Sequence, residues 1–279
     1  MDFIRFEESR PEAVRETLRA RPVAWVPLGA LEWHGEHLPL GLDGLKAEAL
    51  CAAAASRAGG VVFPAVQWGA FGTLPFPFTF RFRPGLMLEI VREALRQLAG
   101  MGFRVIVVLT GHYPPAQVKM LRRECRRLCK SGAALALGIP ETALTHSIKY
   151  YGDHAGRWET SVMMALRPEL VNLSALPAGL SVLERQARAG VMGQDPRERA
   201  NPDDGRAAID LVAEKLAAAV EIALTENSDR AFEEIYRSAD LAVRPGRANR
   251  FGWDLVTEAL DVHRLSDLVR YFWWTVRNL

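Results

Sequence analysis

Glu32, His34 and Asp43 fall within one stretch, Leu31-Glu-Trp-His-Gly-Glu-His-Leu-Pro-Leu-Gly-Leu-Asp43, the chain's densest collection of metal-ligand side-chain types. Glu32 and His34 are two apart, so in an extended segment both project from the same face. Asp43 follows where a helical pattern begins. A second histidine, His112, sits in Thr110-Gly-His-Tyr-Pro-Pro115, and a third group, Gly152-Asp-His-Ala-Gly-Arg-Trp-Glu-Thr-Ser161, holds His154 and Glu159 at a loop-to-helix junction. Imidazole mixed with carboxylate suits Zn, Mn or Fe(II), whereas an all-oxygen set would suit Mg or Ca. Two such ions about 3.5–4 Å apart can share one carboxylate, activate a water and polarise a carbonyl. Asp43 is the candidate bridge. A lone histidine is more often a hydrogen-bonded loop or core residue than a ligand, so the argument rests on Glu32, His34, Asp43 and His112 together.

These side chains need a scaffold that gathers them. Apolar runs at Val23–Leu28, Val61–Phe63, Arg104–Leu109 and Ala133–Leu137 read as strands buried on both faces. Helical patterns lie between them at Gly44–Arg57, Pro84–Leu98 and Pro115–Lys130, the last two opening with a proline suited to a first turn. The alternation predicts a mainly parallel sheet covered on both faces, with right-handed crossovers. Ligands bind such sheets beyond the carboxyl ends of the strands, where the first two clusters fall. Beyond Gly156 the chain reads as helical, with segments at Trp158–Leu166 and Asp204–Leu224, a break at Pro245-Gly246 and an aromatic close at Tyr271-Phe-Trp-Trp274. Residues 1–225 are expected to form the main domain, and 226–279 a helical extension packed on it or on a neighbouring subunit.

Composition removes several classes. Lys and Arg number 35 against 33 Asp and Glu, a net charge of +2, which offers no field for nucleic acid or an anionic membrane. Cys51, Cys125 and Cys129 lack the spacing of a zinc knuckle and are odd in number for a disulfide framework. The uncharged stretch from Gly59 to Phe80 holds Pro64, Pro75 and Pro77, which suit a strand and an apolar loop better than a spanning helix. The opening residues lack the pattern of a signal peptide, so a cytoplasmic location is expected.

Val26-Pro-Leu-Gly-Ala-Leu-Glu-Trp-His-Gly-Glu-His-Leu-Pro-Leu-Gly-Leu-Asp43 resembles the opening motif of the creatininase (creatinine amidohydrolase) family. Gly111-His-Tyr113 resembles that family's strand-end motif, His154-Ala-Gly-Arg-Trp-Glu-Thr-Ser161 its His-Ala-Gly-x-x-Glu-Thr-Ser signature, and Gly190-Val-Met-Gly-Gln-Asp-Pro196 its later turn. The resemblance spans roughly residues 20–225, and several motifs in order outweigh one short match. It implies a three-layer α/β/α sandwich and a binuclear hydrolase with two divalent ions (Zn, Mn or Fe). It also implies a small-molecule substrate and a ring-shaped homo-oligomer, a hexamer by analogy. By position, Glu32 and His112 would hold one ion, His34 the other, Asp43 would bridge, and His154 would protonate the leaving nitrogen. His37 becomes an outer-sphere candidate, and Tyr113, Tyr150 and Trp68 outer-sphere or substrate contacts.

Two departures shape the expectation. Creatininase takes its last ligand from a glutamate two residues after the strand-end histidine, where this chain has Pro114. Glu159 is the expected substitute, against the simpler reading of a carboxylate stabilised at a helix N-terminus. Tyr150 stands where creatininase has tryptophan, which argues against creatinine as substrate. The leading expectation is cleavage of a C–N bond in a cyclic or linear amide through a metal-bound hydroxide. Its rivals are C–C ring opening of a keto-cyclitol or keto-sugar, and a metal-binding protein that has lost catalysis. Arg122, Arg123, Arg126, Arg127 and Lys130 read as a solvated face or subunit contact. The aromatics Trp68, Phe71, Phe76, Phe78 and Phe80 read equally as pocket or core.

Overall fold

Val105–Thr110, an apolar and largely β-branched run, is buried at every position and forms the spine of a five-stranded parallel sheet. The computed structural model describes residues 2–73, 76–242 and 253–278. In chain order the elements are β1 (Phe3–Arg5), α1 (Pro11–Ala20), β2 (Val23–Leu28), α2 (Leu42–Ala58), β3 (Gly60–Val62), α3 (Pro84–Gly100), β4 (Val105–Thr110), α4 (Pro115–Ser131) and β5 (Leu135–Pro140). Then come α5 (Arg157–Leu166), α6 (Val182–Ala189), α7 (Pro196–Arg199), α8 (Pro202–Glu226), α9 (Arg230–Ala242), α10 (Trp253–Leu260) and α11 (Leu265–Asn278). Pro75 and the Pro245-Gly246 break lie outside the described residues. No helix among those described is long and apolar enough to cross a membrane.

The strand order is β1-β3-β2-β4-β5. The chain leaves β2 toward β3 on one side, then crosses to β4 on the other. The carboxyl ends of β2 and β4 are therefore neighbours whose following segments diverge, the topological switch where open sheets form a crevice. Leu28 pairs with Thr110 at the last rung, so the loops carrying Glu32 and His112 emerge side by side.

Alternation along the strands fills two cores. Val105, Val107 and Leu109 face α2, α8 and α9 through Leu50, Ala54, Leu216 and Phe232, while Ile106 and Val108 face α3 and α4 through Val91, Leu95, Met120 and Leu121. This is a three-layer α/β/α sandwich. Each fully buried aliphatic side chain contributes on the order of 1.5–3 kcal/mol. The buried Cys51 and Cys125 pack in these layers as small hydrophobes, and all three cysteines are free.

Two strands differ from the sequence reading by more than a one-residue shift. The three residues of β1 are too few to show a period, yet they pair in register with β3. β5 starts two residues later than expected and runs through Gly138 to Pro140. Gly132, left-handed at φ 73°, ends α4, and the chain needs the next residues to enter the sheet. Gly138 continues the strand because its edge N–H donates to the Tyr236 hydroxyl of α9 at 3.0 Å.

The basic face of α4 is largely occupied. Arg122 bonds Asp240 (2.7 and 3.0 Å) and Arg126 bonds Glu233 (2.6 Å), both acids on α9, and both guanidinium groups stack on Tyr236. These arginines fasten α9 across the outer edge of β5.

Candidate metal centre

Two glycines let the sheet meet α2. A Cβ on Gly29 would lie 2.2 Å from Gly44 N, and one on Gly111 would lie 2.1 Å from Asp43 O. With no Cβ at either position, the first turn of α2 seats directly on the ends of β2 and β4. Asp43 occupies that turn, where the positive end of the helix favours its carboxylate.

Around Asp43 the three sequence clusters converge. Oδ2 lies 3.3 Å from His112 Nδ1, and that nitrogen is 2.7 Å from Glu32 Oε1. Oδ1 lies 3.4 Å from His34 Nε2, which is 3.6 Å from Glu159 Oε2. Glu32, Asp43 and His112 form one group able to hold an ion, and His34, Asp43 and Glu159 form another. Glu32, His34 and His154 also come together, with Glu32 Oε1 3.9 Å from His154 Nδ1.

The donor set fits divalent ions. Each histidine gives one nitrogen to a backbone carbonyl: His34 Nδ1 to Glu32 O at 3.0 Å, His112 Nε2 to Phe71 O at 2.7 Å, and His154 Nε2 to Trp33 O at 3.0 Å. The other nitrogen is thereby turned to the centre, the usual way a protein orients a metal-binding imidazole. His34 Nε2 and Asp43 Oδ2 are buried without a hydrogen-bond partner. Such atoms call for a ligand.

The electrostatics of the site express the same crowding of acids. Burial opposes charge on His34, but Asp43, Glu159 and Glu32 outweigh it and raise its pKa to about 9. His112 is raised against burial by Glu32 and Asp43. Asp43, despite burial, is held well below its ordinary value by His34 and His112. His154 is lowered by burial and by His34. Burial and His34 push His37 down to about 3, so it stays neutral.

Glu159 reaches the centre because Asp153 caps α5, accepting from Trp158 N (2.7 Å) and Glu159 N (3.2 Å). Burial and Glu159 push Asp153 up to about 7. His154 is held by paired backbone bonds with Met192 (2.8 and 2.7 Å), so the Gly190–Pro196 turn serves to brace it. Tyr113 OH lies between two acceptors, Glu159 Oε1 at 2.8 Å and the Asp153 carbonyl at 2.6 Å, and shares its one proton between them. His37 is buried behind the site against Thr160 Oγ1 at 3.0 Å.

Two expected outer-sphere or substrate residues do not line the cavity. Tyr150 is fully buried, stacked on Trp158, with its hydroxyl on Glu141 Oε1 at 2.9 Å. Trp68 is 49% exposed and is not among the residues lining the cavity. Of the aromatic loop, Phe76 sets its ring 6.5 Å from that of His154 and 6.3 Å from that of Trp274 of α11. Phe78 and Phe80 are exposed, and Phe71 packs on the α3/α4 core.

A cavity of about 470 Å³ opens over the centre, lined by Glu32, Asp43, His112, Tyr113, His154 and Glu159 on one side. Pro114, Pro115, Ala116 and Met192 form its apolar wall.

Sequence reasoning passed over Lys46 and Glu141, both buried beside Glu159. A signal existed for each. Lys46 sits at helical spacing among Leu42, Leu50 and Ala54, one cation in an apolar stripe. Glu141 directly follows β5, as the Gly111-His112 segment follows β4.

Comparison with known proteins agrees with this architecture. Creatinine amidohydrolase of Pseudomonas putida is 31% identical over 177 residues, 54% of this chain and 66% of that enzyme, just under two thirds of its length. The mycofactocin precursor peptide peptidase of Mycobacterium ulcerans (strain Agy99) is 30% identical over 191 residues, 63% of this chain and 72% of the relative. A crystal structure of creatinine amidohydrolase (creatininase) matches with a TM-score of 0.66 at 23% identity, covering 81% of this chain and 98% of that one. Creatininase structures include a manganese form and a zinc–zinc form. The family model described as creatininase, creatinine amidohydrolase, matches residues 7–220, which include Glu32, His34, Asp43, His112, His154 and Glu159, and with that match the chain belongs to the creatininase family.

Proposed function

We propose that this chain is a binuclear metal-dependent hydrolase that cleaves a C–N bond of an amide. The observation that carries the reading is the split of Asp43, whose two oxygens face different histidines, His34 at 3.4 Å and His112 at 3.3 Å. Glu32, Asp43 and His112 would hold one ion, and His34, Asp43 and Glu159 the other. Two divalent ions would supply Lewis acidity toward a carbonyl oxygen and a water acidic enough to react near neutral pH.

The chain's own groups supply the rest. His154 Nε2 is committed to the Trp33 carbonyl, so Nδ1 is the atom that takes up a proton and passes it to the departing nitrogen. No Lys or Arg is among the described residues lining the cavity. An uncharged amide with an apolar neighbouring group therefore fits better than a substrate bearing a carboxylate or phosphate beside the scissile bond. The peptidase relative acts, by its name, on a peptide precursor, which supports a linear amide as well as a cyclic one.

The test is a panel of neutral cyclic and linear amides given to metal-loaded protein, with released amine as the readout. Turnover that disappears with chelation and returns with Zn²⁺ or Mn²⁺ is expected. Undiminished turnover by metal-stripped protein would overturn the reading.

A further inference from the structure

Behind the cavity, buried polar side chains form a second tier that the proposed chemistry does not use. Lys46 has no exposed surface. Its Nζ lies 2.7 Å from Glu159 Oε1 and 2.6 Å from Glu141 Oε1, and 4.7 Å from the centre of the Tyr113 ring. Tyr150 OH donates to the same Glu141 oxygen at 2.9 Å. An ammonium group buried this deeply is costly unless it is paired and hydrogen-bonded. Here it has two carboxylates, and both lie on elements other than its own helix.

The accounting on Glu159 shows what the lysine does. Oε1 accepts from Lys46 Nζ and from Tyr113 OH at 2.8 Å. A carboxylate oxygen has about two acceptor sites, so Lys46 and a share of the Tyr113 proton engage Oε1 on the side away from the centre. Oε2 accepts from Ala155 N at 2.8 Å and faces His34 Nε2 at 3.6 Å, leaving one lone pair aimed at the centre. A glutamate carried next to the strand-end histidine would be fixed by the strand itself. Pro114 removes that option, and a carboxylate delivered from α5 needs another anchor.

We infer that Lys46 is the positioning residue that holds Glu159 as a one-oxygen ligand, with Glu141 and Tyr150 balancing and orienting the lysine. The inference rests on Glu159 being a ligand, as proposed above. It assigns this site a support that runs from α2 through Lys46 to the ends of β5 and α5.

The test titrates full-length wild-type protein, Glu141→Gln and Lys46→Met/Glu141→Gln with Mn²⁺ alone, by calorimetry and by electron paramagnetic resonance. Removing both charges together avoids stranding Glu141 in the interior. The expected result is two ions in wild type and in Glu141→Gln. In the double variant one ion should stay and the other weaken about 10- to 100-fold, the usual cost of losing an outer-sphere partner. The spin-coupled pair should give way to the signal of an isolated ion. Two ions bound by the folded double variant as tightly as by wild type would overturn the role of Lys46 alone. A wild-type chain that binds no Mn²⁺ would overturn the metal-centre reading as well.

A measurement on wild type needs no variant. In Mn²⁺-loaded crystals Glu159 should contact the ion through Oε2 only, with Oε1 still bonded to Lys46. Chelation through both oxygens would contradict the inference.

Discussion

Asp43 and His112 meet across the gap between α2 and the end of β4, with Oδ2 3.3 Å from Nδ1. The contact exists because Gly111 allows the backbone of Asp43 to lie where a side chain would otherwise be. The site's geometry is thus tied to how closely a helix can sit on a sheet.

Asp43→Asn keeps the shape of the side chain and removes the shared anion. Metal content should fall from two equivalents to one or none. Turnover should drop by more than the roughly 100-fold that loss of an outer-sphere partner costs. Elemental analysis of folded protein beside an amine-release assay checks both.

Gly111→Ala would drive a methyl into the Asp43 backbone, whose oxygen is 2.1 Å from the ideal Cβ position. Relief requires α2 to shift, at a cost of about 1–3 kcal/mol for overpacking, and metal binding should weaken with it. Gly100→Ala is the control, since nothing lies within 4 Å of its Cβ position. It sits at the last residue of α3 and should be neutral or stabilising by up to about 1 kcal/mol. Urea denaturation separates the two.

His154→Gln tests whether His154 moves protons or holds an ion. As a proton carrier it should be worth about 10²- to 10⁴-fold in turnover, with both ions retained. Loss of one metal equivalent in this variant would instead make it a ligand through the group it forms with Glu32 and His34.

Tyr236→Phe removes the acceptor for Gly138 N–H at the edge of β5. Leaving a buried donor unpaired costs about 1–3 kcal/mol, so the urea midpoint should fall while metal content stays at the wild-type level.

Much of this arrangement could be read before any coordinates, and the reason is physical. The strands β2, β3 and β4 are apolar runs whose burial forces their positions, and the residues just after β2 and β4 must share one end of a parallel sheet. Glu32, His34, Asp43 and His112 follow from that geometry alone. Glu159 does not, because its place depends on how α5 packs across the sheet, and the resemblance in its Glu-Thr-Ser segment was the available clue. Lys46 was hidden by averaging: one cation in an alanine- and leucine-rich helix leaves the helical pattern intact. Trp68 was placed by aromatic character, which pockets and cores share, and it lies half exposed off the cavity; Tyr150 was placed by its position four residues before His154, and it packs on Trp158 behind the site. Arg122 and Arg126 of α4 read as part of a solvated face because their acidic partners, Asp240 and Glu233, sit more than a hundred residues later, whereas Arg123 and Arg127 pair with Glu124 on α4 itself and stay exposed.

Crystals grown with Zn²⁺ and measured at the zinc absorption edge test the account most directly. Two anomalous peaks about 3.5–4 Å apart are expected, one beside Glu32 and His112, the other beside His34 and Glu159, with Asp43 touching both. A single peak, or a pair that leaves Asp43 uncoordinated, would contradict it.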